Sequence, residues 1–204
     1  MSVPVVADAD TLFAATTRGL LIYLDYHGLI KLHWSPLILD EVSRALVDTG
    51  RKPTLKDARA HEARMCKALP NALVSTADVQ AQFAAVASAV RSGKDIHVAA
   101  CAYCVIAGEV YGGTPAVALV SRNTKDFRKT ALARLGIVLQ LPDAFLYGLI
   151  TAQPVEVAAA FRRFRMDLAS KPEPEALLER LERDGQVKAV QRLLDLYRAQ
   201  EIEL

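Results

Sequence analysis

The 204-residue chain has no apolar run long enough to cross a bilayer, almost no net charge, few aromatics and only three cysteines. Each shortage removes a class of protein. A spanning helix needs about 20 consecutive apolar residues, and Asp8 and Asp10 stand where a secretory signal would place its basic and apolar regions. We therefore expect a cytoplasmic protein with no membrane partner. An odd number of cysteines argues against a disulfide framework. Cys101 and Cys104 form a CxxC pair inside an apolar run, yet neither Cys66 nor the four histidines supply the second paired spacing of a zinc site. They read as buried helix cysteines. The single tryptophan, Trp34, reads as core or interface rather than as a stacking platform. A net charge of +2 selects no class of partner.

What is present suits a soluble globular domain: 52% hydrophobic and 24% charged residues, in a length that supports one α/β domain with a small appendage. Short apolar runs recur at VPVVA (3–7), IKLHW (30–34), ALVST (72–76), AVALVS (116–121) and GIVLQL (136–141). Their near-continuous apolarity is that of parallel strands covered on both faces. Helical periodicity fills 11–27, 36–49, 54–69, 77–91, 95–110 and 124–134. Alternation of this kind predicts a three-layer α/β/α sandwich around a central parallel sheet. After about residue 150 the pattern turns wholly helical, with i, i+3, i+4, i+7 spacing at Val190, Leu193, Leu194 and Tyr197. We place a domain over residues 1–148 and a helical C-terminal extension over 149–204.

Four acid-bearing stretches stand out. VPVVADADTL ends an apolar strand on Asp8 and Asp10. One of the two, Asp10 by position, can cap the following helix, which leaves Asp8 on the last buried turn of the strand. An uncompensated carboxylate there costs several kcal/mol, so a cation is the natural compensation. In SPLILDEVSRAL, Ser35 and Pro36 start a helix, Glu41 borders its apolar face, and Asp40 can pair with Arg44 on the surface. In SGKDIHVAACAYCVIA, Asp95 opens an apolar helix as a cap or as a fourth wall of a shared pocket, and His97 reads as a packed histidine rather than a ligand. In SRNTKDF, Ser121, Asn123 and Asp126 follow a strand end, with Arg122, Lys125, Arg128 and Lys129 around them. Ligands of parallel sheets bind outside the C-terminal ends of the strands, so these positions predict one pocket.

Carboxylate and amide oxygens suit Mg²⁺ or Mn²⁺, ions that take few protein ligands and coordinate phosphate oxygens. Such a site hydrolyses phosphodiesters: a cation held by Asp8 and Asp95 polarises the phosphate, and nearby carboxylates orient or deprotonate the attacking water. Rim cations such as Arg122 and Lys125 would hold the polyanion.

These residues resemble the PIN-domain endoribonucleases, the VapC-type toxins of bacterial toxin–antitoxin pairs. The similarity rests on VVADADTL, WSPLILDEVSRAL, DIHVAACA and SRNTKDF, which agree in order and spacing across roughly residues 3–148. The tail ending in ERDGQVKAVQRLLDLY resembles the C-terminal extension of a larger branch of these toxins. The resemblance implies that Asp8, Glu41 and Asp95 bind the divalent metal, that Asn123 takes the fourth polar position with Asp126 as the nearby carboxylate, and that Asp10 and Ser121 support them from behind. It also implies an RNA substrate, a homodimer, and an antitoxin that presents a basic side chain to the carboxylates. Many relatives carry aspartate at the position of Asn123 and a further acid at that of Lys94, so a second metal is the less supported version. Two other readings stay open. Asp8-Ala-Asp10-Thr11 is similar to the D-x-D-x-T of haloacid-dehalogenase phosphatases, with the threonine one residue early. Lys94 and Asn123 would also suit a PIN-like interaction module that does not cleave.

Overall fold

The computed structural model describes residues 2–108 and 116–204. In chain order the elements are β1 (Val3–Ala7), α1 (Ala9–Phe13), α2 (Ala15–Tyr26), β2 (Ile30–His33), α3 (Pro36–Asp48), α4 (Leu55–Ala68), α5 (Thr76–Ala81), α6 (Phe83–Val86), α7 (Ile96–Ala107), β3 (Val117–Val120), α8 (Lys129–Arg134), β4 (Ile137–Gln140), α9 (Pro142–Ala152), α10 (Pro154–Asp167), α11 (Pro174–Arg183) and α12 (Val187–Arg198). The architecture is a three-layer α/β/α sandwich with a C-terminal helical extension. The last two residues of the helix expected over 95–110 lie outside the described residues.

Two compact units divide the chain. The first comprises residues 3–13 and 31–140 and holds the four-stranded sheet, in the order β2-β1-β3-β4. β1 and β3 pair in parallel with Val5 opposite Ala118 and Ala7 opposite Val120, and β3 pairs in parallel with β4. Val5, Val6, Ala7, Leu119 and Val120 are fully buried, as near-continuous apolar strands require. The register carries β1 and β3 to a common end, where Asp8 and Ser121 emerge side by side.

The run at 72–76 is not a strand. Leu73 makes a single bridge to Trp34, and Ser75 then accepts the Asp78 N–H as the cap of α5. The helix expected over 11–27 is two helices. Asp8, rather than Asp10, precedes the first, its carbonyl accepting the Thr11 and Leu12 N–H groups. The 77–91 stretch is broken into α5, α6 and a 3₁₀ turn. Trp34 is fully buried, Cys101 is buried, Cys104 is half-buried, and none of the three cysteines is bonded to another.

The second unit gathers residues 14–30 and 141–204. The expected division at 148/149 falls inside α9, and α2 joins the C-terminal helices despite its distance in sequence. Two carboxylates tie this unit together. Asp184, in the turn after α11, accepts the N–H groups of Thr16 and Thr17 at 2.9 Å each, capping α2 from 168 residues away. The buried Gln186 amide donates to Thr17 Oγ at 3.1 Å. Asp143 of α9 accepts the N–H groups of Lys188 and Ala189 at the start of α12. No single helix among the described residues is long and apolar enough to cross a membrane.

Candidate active site

Asp8, Asp10, Glu41, Asp95, Arg122 and Asn123 line one cavity of about 440 Å³, together with Ala9, Phe13 and Ala45. Four chain segments far apart in sequence deliver these side chains. β1 delivers Asp8 at its end, and α1 begins at once, so Asp10 falls in the first helical turn. α3 starts on Ser35, whose hydroxyl accepts the Ile38 N–H at 3.3 Å with Pro36 in the first turn, and Glu41 and Ala45 then share a face. Asp95 immediately precedes α7 but makes no side-chain capping bond. Ser92 accepts the Lys94 N–H instead, so the Asp95 carboxylate is left to face the cavity.

Asp8 is 5% exposed. Its carboxylate accepts the Ala9 N–H at 2.6 Å and the Ser121 hydroxyl at 2.7 Å. Burial, and then the negative charge of Asp10 and Glu41, outweigh those two bonds and push its carboxyl up from 3.8 to about 7. Asp10 is differently placed. Its carboxylate accepts the backbone N–H groups of Arg122 and Asn123, each at 2.9 Å, and so braces the loop that leaves β3. Ser121 links the pair, donating to Asp8 and accepting the Asn123 N–H at 3.0 Å.

The Asp95 carboxyl is raised, first by burial and then by Asp126 and Glu41. Asn123 donates from its amide to Asp126 at 2.5 Å, so the two polar residues after β3 act on each other. Asp126 itself is not part of the cavity wall, and Lys125 is exposed beyond it. The buried His97 places Nε2 3.5 Å from Glu41 Oε2. Burial pulls its imidazole down, but the Glu41 hydrogen bond and charge, the Lys94 backbone and Asp8 outweigh it, and the net shift is upward.

The donor set consists of hard oxygens, and its most buried member, Asp8, is in no ion pair among the described residues. Among the described residues no three His, Cys, Asp or Glu side chains form a ready-made metal cage. The oxygens of Asp8, Glu41 and Asp95 are of the type that could hold an ion of the Mg²⁺ kind, which uses one or two carboxylates and keeps waters or phosphate oxygens in its remaining positions. Such a set does not suit zinc, whose structural sites are closed by four nitrogen or sulfur donors.

Phe13, Ala45 and the Glu41–His97 pair were not anticipated as parts of the site. Helical spacing carried a signal for the first two. Phe13 lies three residues after Asp10, and Ala45 four after Glu41. For His97 the only hint was its place two residues after Asp95, at the start of the same helix.

Residues 142–195 match the VapC50 C-terminal domain. No curated protein matches the chain. No solved structure matches it either.

Proposed function

We propose that the chain is a divalent-metal-dependent endoribonuclease, the toxin of a bacterial toxin–antitoxin pair. The observation that carries the proposal is the convergence of Asp8, Glu41 and Asp95 on one cavity at the shared end of β1 and β3, with the Asp8 carboxyl raised to about 7. Support for the toxin assignment comes from two parts of the chain. The motifs of residues 3–148 resemble VapC-type toxins, and residues 142–195 match the C-terminal domain named for the same family.

Asp8, Asp95 and Glu41 would hold Mg²⁺ or Mn²⁺, which when bound neutralises phosphate charge and makes water a stronger nucleophile. The protein's own groups divide the remaining work. Ser121 fixes the orientation of Asp8 by donating to Oδ2. Asp10 holds the Arg122–Asn123 backbone, and with it the Arg122 side chain at the cavity wall. Asn123 cannot take a proton, so Asp126, which accepts from it, is the carboxylate after β3 available to orient water. Lys125 adds positive charge outside the wall for the RNA chain. In the cell the reading implies a cytoplasmic protein, paired as a homodimer and restrained by an antitoxin whose basic side chain meets the carboxylates.

Purified protein incubated with single-stranded RNA tests this. Cleavage should require Mg²⁺ or Mn²⁺, stop with chelator, and fall at least ~100-fold in Asp8→Asn and Asp95→Asn, since each removes a group that acts on the reacting phosphate. Equal cleavage by both variants would remove the site. Release of phosphate from small monoesters through an acyl-phosphate trapped on Asp8 would replace the nuclease with a phosphatase.

A further inference from the structure

An exposed cation is seated on Phe13, one of the residues that line the carboxylate cavity. The guanidinium of Arg51 lies 4.2 Å from the centroid of the Phe13 ring, and its Nη1 donates to the Phe13 carbonyl at 3.3 Å. Phe13 lines the cavity beside Asp8 and Asp10. Among the described residues no Asp or Glu comes within ion-pair distance of Arg51, whereas Arg44 and Arg59 of the same unit both meet Asp40.

The backbone around Arg51 is equally determined. α3, the helix of Glu41, ends at Asp48 with Thr49 as its cap, and Gly50 takes a φ of +69°, the left-handed conformation that stops a helix. The Lys52 N–H then returns to the Leu46 carbonyl at 2.9 Å. Arg51 is thus held between two residues that are fixed to α3, and its side chain is fixed to α1. Phe13 lines the same cavity as the carboxylates, and Arg51, outside that lining, is joined to it through the Phe13 ring and carbonyl.

A guanidinium stacked on a ring and bonded through one nitrogen has given up rotamer freedom in advance, and its other N–H donors stay available. A polyanion approaching several carboxylates is repelled unless cations fix it nearby. We propose that Arg51, seated on Phe13, binds a backbone phosphate of the RNA strand flanking the one that meets the carboxylates. The inference rests on the endoribonuclease reading. Because it engages a phosphate, the contact adds affinity and register without selecting a base.

The test is single-turnover cleavage of a random-sequence single-stranded RNA pool by the full-length protein with Mg²⁺, measured over a salt series. Arg51→Gln should raise the half-saturating protein concentration roughly tenfold while leaving the maximal rate within about twofold. It should also reduce the slope of log affinity against log salt by about 0.7, the share of one phosphate on a single strand. Arg51→Lys should keep the slope, Phe13→Leu should weaken affinity, and Phe13→Tyr should restore it. Arg59→Gln, which removes a cation already facing Asp40, should leave slope and affinity in place. An unchanged slope in Arg51→Gln, or an equal loss in Arg59→Gln, overturns the role of Arg51 while the nuclease reading stands. A wild-type chain that cuts no RNA with Mg²⁺ or Mn²⁺ overturns both.

Discussion

Replacing Asp8 by asparagine should make the metal-free protein more stable, and more so as pH rises. In the folded chain the Asp8 carboxyl titrates at about 7, against an ordinary value of 3.8. A carboxyl whose folded pKa is raised carries no penalty only below its unfolded pKa, where it is protonated in both states. Its penalty begins near the unfolded value, grows as pH climbs, and is complete above the folded value. At 1.36 kcal/mol per pKa unit, the raised pKa costs about 4 kcal/mol at about pH 8, where folded Asp8 is ionised, and about 2 kcal/mol at about pH 5, where it is protonated while the unfolded carboxyl is ionised. Asparagine keeps an acceptor for the Ala9 N–H, and the Ser121 hydroxyl can accept from the new amide. Whatever the buried amide costs is independent of pH. The stability difference between Asp8→Asn and wild type should therefore move in the variant's favour by about 2–3 kcal/mol between about pH 5 and about pH 8. Urea denaturation of both proteins in chelator at the two pH values measures it. Added Mg²⁺ should then stabilise wild type and not the variant. A difference that stays constant with pH, or moves the other way, would refute the claim that Asp8 is a buried, uncompensated charge.

The Glu41–His97 contact predicts a histidine that titrates above 6.5, followed by NMR of the imidazole, with a midpoint that drops in Glu41→Gln; a wild-type midpoint at or below 6.5 would mean that burial dominates. The stability this pair supplies is fully present below 6.5 and is lost as pH rises through the raised folded value. Asp184→Ala strips the cap from α2 and should cost about 1–3 kcal/mol in thermal or urea unfolding, with Asp184→Asn recovering most of it because one acceptor remains. Gly19→Ala should destabilise by about 1–3 kcal/mol although alanine favours helix, because its Cβ would lie 2.3 Å from the ring tip of Phe164, and a variant at least as stable as wild type would show that the ring yields freely.

The strands at 3–7, 30–33, 117–120 and 137–140 were readable because each is a short, mostly apolar run, covered on both faces in β1 and β3, whereas Val138 of β4 is exposed. The same pattern misled at 72–76, where one bridge to Trp34 buries Ala72 and the capping chemistry of Ser75 prevails two residues later. α9 was not assigned from sequence because its apolar residues continue directly from β4, with only Pro142 to mark the change. The membership of α2 in the helical unit had no local signal at all. It depends on packing against α10, with Tyr23 on Phe164, and on Asp184 reaching Thr16 and Thr17, contacts between positions that no periodicity connects.

At the cavity, charge was the readable quantity and partnership was not. An acid at the end of a fully apolar strand conflicts with burial, and that conflict identifies Asp8 without any knowledge of the fold. The division of labour between Asp8 and Asp10 depends on the loop after β3. Two backbone N–H groups from that loop satisfy Asp10, whereas Asp8 receives one hydroxyl and the N–H of its own neighbour and remains at a titration point near 7. Asp10, bonded to the backbone N–H groups of Arg122 and Asn123, holds the loop in place. Asp8, whose carboxyl burial pushes up, is the one whose energy a bound cation changes most. A doublet of acids one residue apart thus combines a folding brace with a charge kept in reserve, because α1 begins between the two at Ala9 and carries Asp10 to the loop after β3 while Asp8 stays at the strand end.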